Sequence, residues 1–149
     1  MTQEEKELLL QDLCCRLPYG VKIQRGVNYK PMQLWSVGIL ELGIFNRAYY
    51  NNGLNNDSYS VMEIKPYLRP LSSMTEAEKE EFKKLTDCDD VTETGFGYVE
   101  GGTLEDYIST LPFKLLGVVT KWLLSHHFDY MGLIDKGLAL EAPKDMYNV

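Results

Sequence analysis

The chain lacks the motifs that most directly reveal an activity. It has three cysteines among 149 residues, and no two of them have the Cys-x-x-Cys spacing of a structural zinc site. It contains no Gly-Lys-Ser/Thr phosphate loop and no Gly-x-Ser-x-Gly nucleophile elbow. The sequence therefore offers no catalytic or cofactor motif, and we expect no cofactor.

Positive charge is scarce as well. Fifteen Lys and Arg face 22 Asp and Glu, so the net charge is −7. The imbalance lies in residues 71–149, which sum to −8, whereas residues 1–70 sum to +1. Because cationic side chains supply most non-specific affinity for nucleic acid, the second half is a poor candidate for that role. A basic patch in the first half stays open.

No long hydrophobic run is present. The most apolar stretch, residues 113–124, spans twelve residues and includes Lys114 and Lys121, which is too short and too charged to cross a bilayer. The acidic start of the chain, residues 1–5, does not resemble a secretory signal. With an odd number of cysteines, we expect reduced thiols, a cytoplasmic location and no membrane partner.

Periodicity predicts an α+β fold. Leucines at helical spacing follow the Thr2-x-x-Glu5 capping box and predict a helix over residues 3–16, with Cys14 in its buried stripe. Alternating or apolar segments predict strands over residues 21–24, 34–45 and 59–64. These form a small antiparallel sheet of about three strands in the first half, closed by Pro66 and Pro70.

The second half is predicted to be rich in helix. A second capping box, Thr75-x-x-Glu78, starts a charged helix over residues 76–85, and residues 113–127 form the most apolar helix. Between them, residues 87–102 are acidic and contain glycine, so we expect a loop or a short hairpin there. We expect a single domain over residues 1–149, with a strand-rich part (1–70) and a helix-rich part (71–149). The expected core includes Trp35, Leu115, Val119, Trp122 and Leu123.

Three blocks of sequence resemble a known group of proteins. They are residues 17–21 (Leu-Pro-Tyr-Gly-Val), residues 64–75 (Ile-Lys-Pro-Tyr-Leu-Arg-Pro-Leu-Ser-Ser-Met-Thr) and residues 126–140, which begin His-His-Phe-Asp-Tyr. The residues of these blocks resemble those of a family of uncharacterised small proteins common in Bacteroides-type gut bacteria and their phages or prophages. The family has no assigned activity, so the resemblance implies a setting and transfers no site residue.

Residues 46–59 are rich in tyrosine and asparagine, the composition of many recognition surfaces. An Asn-Gly turn inside the segment indicates a long hairpin connection, which is the plain alternative. As a binding loop, the segment would use the following residues: Tyr49, Tyr50, Asn51, Asn52, Asn55 and Tyr59.

Basic residues with interleaved aromatic rings give an alternative, single-stranded nucleic acid. The candidates for this face are Lys22, Arg25, Lys30 and Arg47. The nearby rings are those of Tyr29, Trp35, Tyr49 and Tyr50. A solvated polar face explains the same residues without any ligand.

His126, His127 and Asp129 form the one cluster of histidines with a carboxylate. A metal-dependent hydrolase would need these groups to converge. On an intact helix, however, two successive imidazoles diverge by about 100°. The plainer interpretation is a helix terminus in which Asp129 fixes the tautomer of a ring.

Taken alone, the sequence leaves the function unknown and enzymatic activity uncertain, with a non-enzymatic role favoured. We expect a protein-interaction module of a phage, a prophage or its host. Its tyrosine- and asparagine-rich segment and the adjacent strand edge would contact a protein partner or a second copy of the chain. Nucleic-acid binding and metal-dependent hydrolysis are the alternatives.

Overall fold

The computed structural model describes residues 1–39, 46–51, 56–86 and 113–147, and it gives no side-chain description for residues 35, 36, 38, 39, 46–51, 56–61, 113 and 114. The helices are α1 (Gln3–Arg16), α2 (Glu76–Thr86) and α3 (Phe113–Ser125). The strands are β1 (Lys22–Arg25), β2 (Met32–Ile39), β3 (Asn46–Asn51), β4 (Asn56–Ser60), β5 (Ile64–Leu68) and β6 (Leu140–Glu141). Short 3-10 turns cover Leu17–Tyr19, Val61–Glu63 and Leu71–Ser73.

Both predicted capping boxes are confirmed. At the start of α1, the Glu5 amide donates to Thr2 Oγ1 at 3.1 Å, and the Thr2 amide donates to the Glu5 carboxylate at 2.7 Å. At the start of α2, the Glu78 amide donates to Thr75 Oγ1 at 3.2 Å, and the Thr75 amide donates to the Glu78 carboxylate at 2.8 Å. These reciprocal bonds satisfy amides that a helix start leaves unpaired.

The α+β class is confirmed, and the sheet is larger than expected. Its strand order is β4-β3-β2-β1-β5-β6, and every neighbouring pair is antiparallel except β5 and β6. The segment predicted as one strand over residues 59–64 divides at the 3-10 turn, so β4 ends at Ser60 and β5 begins at Ile64. Pro66 lies inside β5 instead of closing the sheet. Since β6 reaches only Tyr67 and Leu68, Pro66 has an edge-like position that proline tolerates.

Two apolar clusters form the core of the part of the chain that the structure describes. The first lies between α1 and the sheet and includes the buried side chains of Leu9, Leu13, Ile23, Leu34, Ile64 and Leu68. The second lies between α2 and α3 and consists of Met74, Phe82, Val119, Trp122, Leu123 and Phe128. Three of the five expected core residues are therefore buried, Leu115 is half-buried, and the side chain of Trp35 is outside the description.

Cys14 is exposed, so its expected place in the core is wrong. The buried stripe of α1 contains Leu9, Asp12, Leu13 and Arg16, at the i, i+3, i+4, i+7 spacing of one helix face. Cys14 follows Leu13 by one residue and is turned about 100° away from that stripe. The two charged residues of this stripe, Asp12 and Arg16, were not predicted from the sequence to be buried.

Arg16 connects α1 to the segment after α3. Its side chain is fully buried, its Nε donates to the Asp12 carboxylate at 2.6 Å, and its Nη2 donates to the Phe128 carbonyl at 2.8 Å. The same segment joins the end of β5, because the Arg69 amide donates to the His127 carbonyl and the Asp129 amide donates to the Arg69 carbonyl, each at 2.8 Å. The two predicted parts of the chain thus pack together here.

Candidate functional site

The sheet has two chemically different faces. Side chains alternate between the faces of a strand, and cross-strand partners share a face. The inner face, which contains Ile23 and Leu34, is buried under α1. The opposite face, here called the outer face, contains Lys22, Gln24, Gln33, Lys65 and Tyr67, all of which are exposed or half-buried. Polar, accessible groups thus occupy one side of the sheet.

The register extends this division into the hairpin of β3 and β4. Leu34 lies opposite Tyr50, but Ser36 lies opposite Tyr49, so a bulge at Trp35 shifts the register by one residue. Tyr50 therefore belongs to the inner face. Tyr49, and with it Arg47 two residues earlier, belongs to the outer face.

The tyrosine- and asparagine-rich segment is mostly strand, which corrects its interpretation as a loop. Tyr49, Tyr50 and Asn51 lie in β3, and Tyr59 lies in β4 opposite Ala48, on the inner face. Asn52 and Asn55 lie outside the described residues. Tyrosine favours strands, which explains why the segment pairs with itself. The predicted binding residues are therefore divided between two faces.

The four predicted basic residues lie in different places. Lys22 and Arg47 belong to the outer face by register. Arg25 ends β1, with its guanidinium 4.9 Å from the centre of the Tyr29 ring. Lys30 is exposed in the turn between β1 and β2. Lys65 and Tyr67 were not among the predicted site residues, although the alternation of buried and accessible positions in β5 could have indicated them.

A groove of about 470 Å³ lies on the outer face. Gln24, Lys65, Tyr67 and Leu140 line it, together with the turns that contain Gly26 and Val27 and, on the other side, Met62 and Glu63. Two of the lining side chains are apolar and exposed: Val27 is 97% accessible and Met62 is 54% accessible.

Hydrogen bonds fix the wall of this groove. The Tyr67 hydroxyl donates to the Gln24 side-chain oxygen at 2.7 Å, and the Gln24 amide nitrogen donates to the Tyr29 carbonyl at 2.6 Å. Gly26 has a φ of +60°, a conformation that glycine adopts at little cost, and this lets the turn fold back onto Gln24. The groove is therefore held in shape without a ligand.

His126, His127 and Asp129 do not converge. Both oxygens of the Asp129 carboxylate accept backbone amides, from Leu133 and from Ile134, each at 2.8 Å. The expectation that Asp129 orients an imidazole is wrong, because the nearby chain turns its amides towards the carboxylate. Within the described ranges, no group of three His, Cys, Asp or Glu side chains could hold a metal ion.

The two imidazoles have separate surroundings. The His126 ring stacks on Trp122 with centroids 4.2 Å apart, its Nδ1 lies 2.9 Å from the Trp122 carbonyl, and its Nε2 lies 3.6 Å from a Glu81 oxygen. His127 leaves the helix with a φ of +61° and stacks on Tyr147, with centroids 3.7 Å apart. The predicted divergence of the two rings is confirmed.

Burial and nearby cations keep His127 neutral. Desolvation, and then the positive charges of Arg16 and Arg69, lower the pKa of His127 to about 4. His126 and Lys22 add smaller contributions in the same direction. An imidazole with this pKa is uncharged at neutral pH, so it offers no imidazolium proton there.

Hydrogen bonds fix the C-terminal segment, which contains Met146 and Tyr147, beside His127. The Tyr147 hydroxyl accepts the Lys22 amide at 2.9 Å and donates to the Tyr67 carbonyl at 2.8 Å. Burial raises the pKa of Tyr147 to about 12, so the hydroxyl keeps its proton for the bond to Tyr67. The Lys22 ammonium also donates to the Met146 carbonyl at 3.2 Å. This segment holds the ends of β1 and β5 together.

A wider cleft of about 750 Å³ separates α2 from this C-terminal segment. Its Arg69 forms a two-pronged ion pair with Glu78, at 2.7 and 2.9 Å. Burial opposes ionisation of Glu78, but the hydrogen bonds from Arg69 and Thr75 prevail and lower the pKa of its carboxyl. The hydroxyls of Ser73 and Thr75 are engaged with backbone groups. Among the described residues that line the cleft, Ser73 and Thr75 therefore do not present a hydroxyl paired with a base, as nucleophilic catalysis requires.

In the part of the chain that the structure describes, no helix is long and apolar enough to cross a membrane. A scan against protein-family models, a search of curated proteins and a search of solved structures each give no match.

Proposed function

We propose that the chain is a non-enzymatic protein-interaction module that binds its partner on the outer face of the sheet. The observation that carries this proposal is the register. It places Lys22, Lys65 and Tyr67 on one accessible face, together with the strand positions of Arg47 and Tyr49. Tyr49 of the predicted binding segment thus shares the outer face with Lys22 and Arg47 of the predicted basic set.

The apolar side chains of that surface favour a protein as the partner. Val27 and Met62 extend into solvent beside the groove, where neither contributes to the core. Exposed apolar groups rimmed by polar ones are typical of protein contact sites. The net charge of −7 also opposes a polyanionic ligand.

Two observations support a role without catalysis. The cluster of His126, His127 and Asp129 is occupied by packing and backbone contacts. The cleft beside α2 contains an internally neutralised ion pair, Arg69 with Glu78, and engaged hydroxyls. The groups of this cluster and of this ion pair thus make contacts within the fold.

The expected setting follows from the resemblance and from the thiols. Cys14 and Cys15 are free and exposed, which fits the reducing cytoplasm. The resemblance to small proteins of Bacteroides-type bacteria and their phages makes a lysate of such a bacterium the appropriate source of partners.

A capture experiment tests the proposal. The tagged protein, its Lys65→Glu variant and its Lys84→Glu variant are incubated with nuclease-treated lysate, and bound proteins are identified by mass spectrometry. Lys65 is on the outer face, whereas Lys84 is exposed on α2 and provides the matched control. We expect a partner that is retained by the wild type and by Lys84→Glu and is lost from Lys65→Glu. Equal capture by all three would contradict the proposal.

A second copy of the chain is one form that the partner can take. Among the strands that the structure describes, β4 is the last one on the hairpin side of the sheet, and edge strands pair readily with other chains. Light scattering of the purified protein at several concentrations distinguishes this case. A dimer that forms as the concentration rises would identify the partner as the chain itself.

Nucleic acid is the second candidate, favoured by one observation. The Arg25 guanidinium lies over the Tyr29 ring, and Lys65 and Tyr67 are neighbours on the groove, which is the combination that single strands use. This alternative predicts that an oligonucleotide binds with a steep salt dependence. No shift of a labelled single strand at low salt would remove it.

A further inference from the structure

Residues 140–147, here called the strap, are held to the body of the protein by few contacts. Among the described strands, the strap pairs through the two residues of β6 with the end of β5. None of its residues is buried and none belongs to either core cluster, whereas Leu138 and Ala139, just before it, belong to the first cluster. Segments that bury little apolar surface open locally at a lower free energy than the whole fold. The strap can therefore detach while the core stays folded.

The end of the strap lies on the imidazole of His127. The Tyr147 ring stacks on that imidazole with centroids 3.7 Å apart and planes inclined by 15°. The Tyr147 hydroxyl adds its bonds to β1 and β5. Closer to β6, the Ala142 amide donates to the Leu68 carbonyl at 2.7 Å. His127 is thus part of the surface against which the strap is held.

The charged groups that face His127 are cations. The titratable and charged groups around it are Arg16 of α1, Lys22 of β1, Arg69 after β5, His126 after α3 and Tyr147 of the strap. Asp12 and Asp129, the buried carboxylates of this region, are engaged by Arg16 and by backbone amides. The Nδ1 atom of His127 is buried and has no hydrogen-bond partner among the described residues. An added proton would therefore place a further positive charge beside existing ones.

We propose that the strap is an acid-sensitive latch, in which protonation of His127 detaches residues 140–147 and opens the cleft beside α2. An imidazolium under Tyr147 is deprived of water, and this cost exceeds the attraction of a ring face for a cation. Detachment of the strap returns the imidazolium to water without unfolding the core. Since the strap forms one wall of the cleft, its release also exposes the other wall. The latch is independent of what the outer face binds.

The direction and size of the response follow from proton linkage. The pKa of His127 is about 4 with the strap in place, and the ordinary value is 6.5. The open form therefore binds the proton more tightly, so acid favours opening, and the strap stays closed above pH 6.5. A full return to the ordinary value would raise the opening equilibrium about twentyfold from pH 7 to pH 5. Because Arg16 and Arg69 stay on the body of the protein, we expect about tenfold.

Hydrogen exchange of the full chain, followed by NMR, tests the latch. The reporter is the Ala142 amide, and the reference is the amide of Leu13 within α1. We expect Ala142 to be less protected than Leu13 at both pH 7 and pH 5, and its protection factor to fall about tenfold at pH 5. Low urea should leave Ala142 exchange unchanged, because local opening exposes little surface, and should accelerate Leu13 exchange. Equal protection of the two amides would mean that the strap opens only with the core, which would overturn the inference.

Variants assign the response to His127. His127→Asn should remove the pH dependence of Ala142 exchange. Two controls change other titratable groups: Glu81→Gln removes the acidic neighbour of His126, and Asp145→Asn removes an exposed carboxylate of the strap. Both controls should keep the tenfold response. A response that persists in His127→Asn, or one that disappears in either control, would contradict the latch.

A measurement on the wild type covers the case in which His127→Asn does not fold. The His127 ring resonances are followed through a pH titration of the unmodified chain. Under the proposed latch, the ring of the closed protein titrates well below 6.5, the ordinary value of its pKa. A midpoint at 6.5 or above, or an Ala142 protection factor that is the same at pH 5 as at pH 7, would overturn the inference without any variant.

Discussion

The junction between α1 and the segment after α3 differs sharply from the outer face of the sheet. At the junction, Arg16, His127 and Asp129 are buried and contact backbone carbonyls, backbone amides or an aromatic ring. On the outer face, Gln33 and Lys65 are exposed and lie outside both core clusters. The residues that most resemble a reactive site thus hold the fold together, whereas ordinary polar residues form the accessible surface.

Substitution at the buried ion pair should produce the largest effect. Arg16→Met leaves Asp12, a buried carboxylate whose pKa burial raises, without its partner, and removes the hydrogen bond to the Phe128 carbonyl. We expect a loss of about 3–5 kcal/mol in the free energy of unfolding, measured by urea denaturation. The control is Lys6→Met, on the same helix. A loss no greater than that of the control would show that the junction is not under this constraint.

Acid should weaken the junction through His127. Because the pKa of His127 is about 4 in the folded chain and 6.5 in the absence of the fold, the unfolded chain binds the proton more tightly. Stability is therefore complete above pH 6.5 and falls by about 3 kcal/mol as the pH decreases to 4. The measurement is the urea midpoint between pH 7 and pH 4. His127→Asn, which accepts the positive φ, should flatten the profile, and an unchanged profile would contradict the assignment.

Loss of one carboxylate oxygen should have an intermediate effect. Asp129→Asn replaces one acceptor with an amide donor, so the amide of Leu133 or that of Ile134 loses its bond. We expect a decrease of about 2 kcal/mol in the free energy of unfolding. Asp135→Asn, at an exposed position, is the control and should be neutral. If the two variants are equally stable, the carboxylate does not organise this turn.

Removal of the Tyr147 hydroxyl should have a smaller effect. Tyr147→Phe keeps the ring stacked on His127 but removes the partner of the Lys22 amide and of the Tyr67 carbonyl. A loss of about 1 kcal/mol is expected in thermal or chemical unfolding. Tyr29→Phe, whose ring is about half exposed, should cost less. The opposite order would indicate that the C-terminal segment contributes little.

Changes on the outer face should barely affect stability. Lys65→Glu and Gln33→Glu alter exposed side chains, so each should change the free energy of unfolding by less than about 0.5 kcal/mol. The same variants should abolish capture of the partner. A large loss of stability in either variant would assign the outer face to the fold and remove the contrast between the two regions.

Local patterns predicted the helices well. The bounds of α1 and the starts of α2 and α3 follow from caps and apolar spacing within a few residues. His126 and His127 diverge as predicted, but both follow the end of α3 at Ser125, so the positive φ of His127 and not helical spacing accounts for it. Helix caps and apolar spacing involve residues that are close together in the sequence, so they could be predicted from it.

Pairing between strands that lie far apart in the sequence could not be predicted. The short strand β6 pairs with β5 across about seventy residues, and the register of β2 with β3 depends on a bulge at Trp35. Neither feature produces a periodic pattern in the sequence, so the face to which Tyr49 belongs could not be predicted. The burial of Arg16 was hidden for the same reason, because its carbonyl partner at Phe128 lies 112 residues away.

Site-specific photocrosslinking tests the central claim most directly. A benzophenone side chain replaces Gln33 on the outer face or, as the control, Lys84 on α2, and each protein is irradiated in lysate. The account predicts a discrete, nuclease-resistant protein adduct from position 33 and none from position 84. An adduct from position 84 alone, or a nuclease-sensitive adduct from position 33, would contradict it.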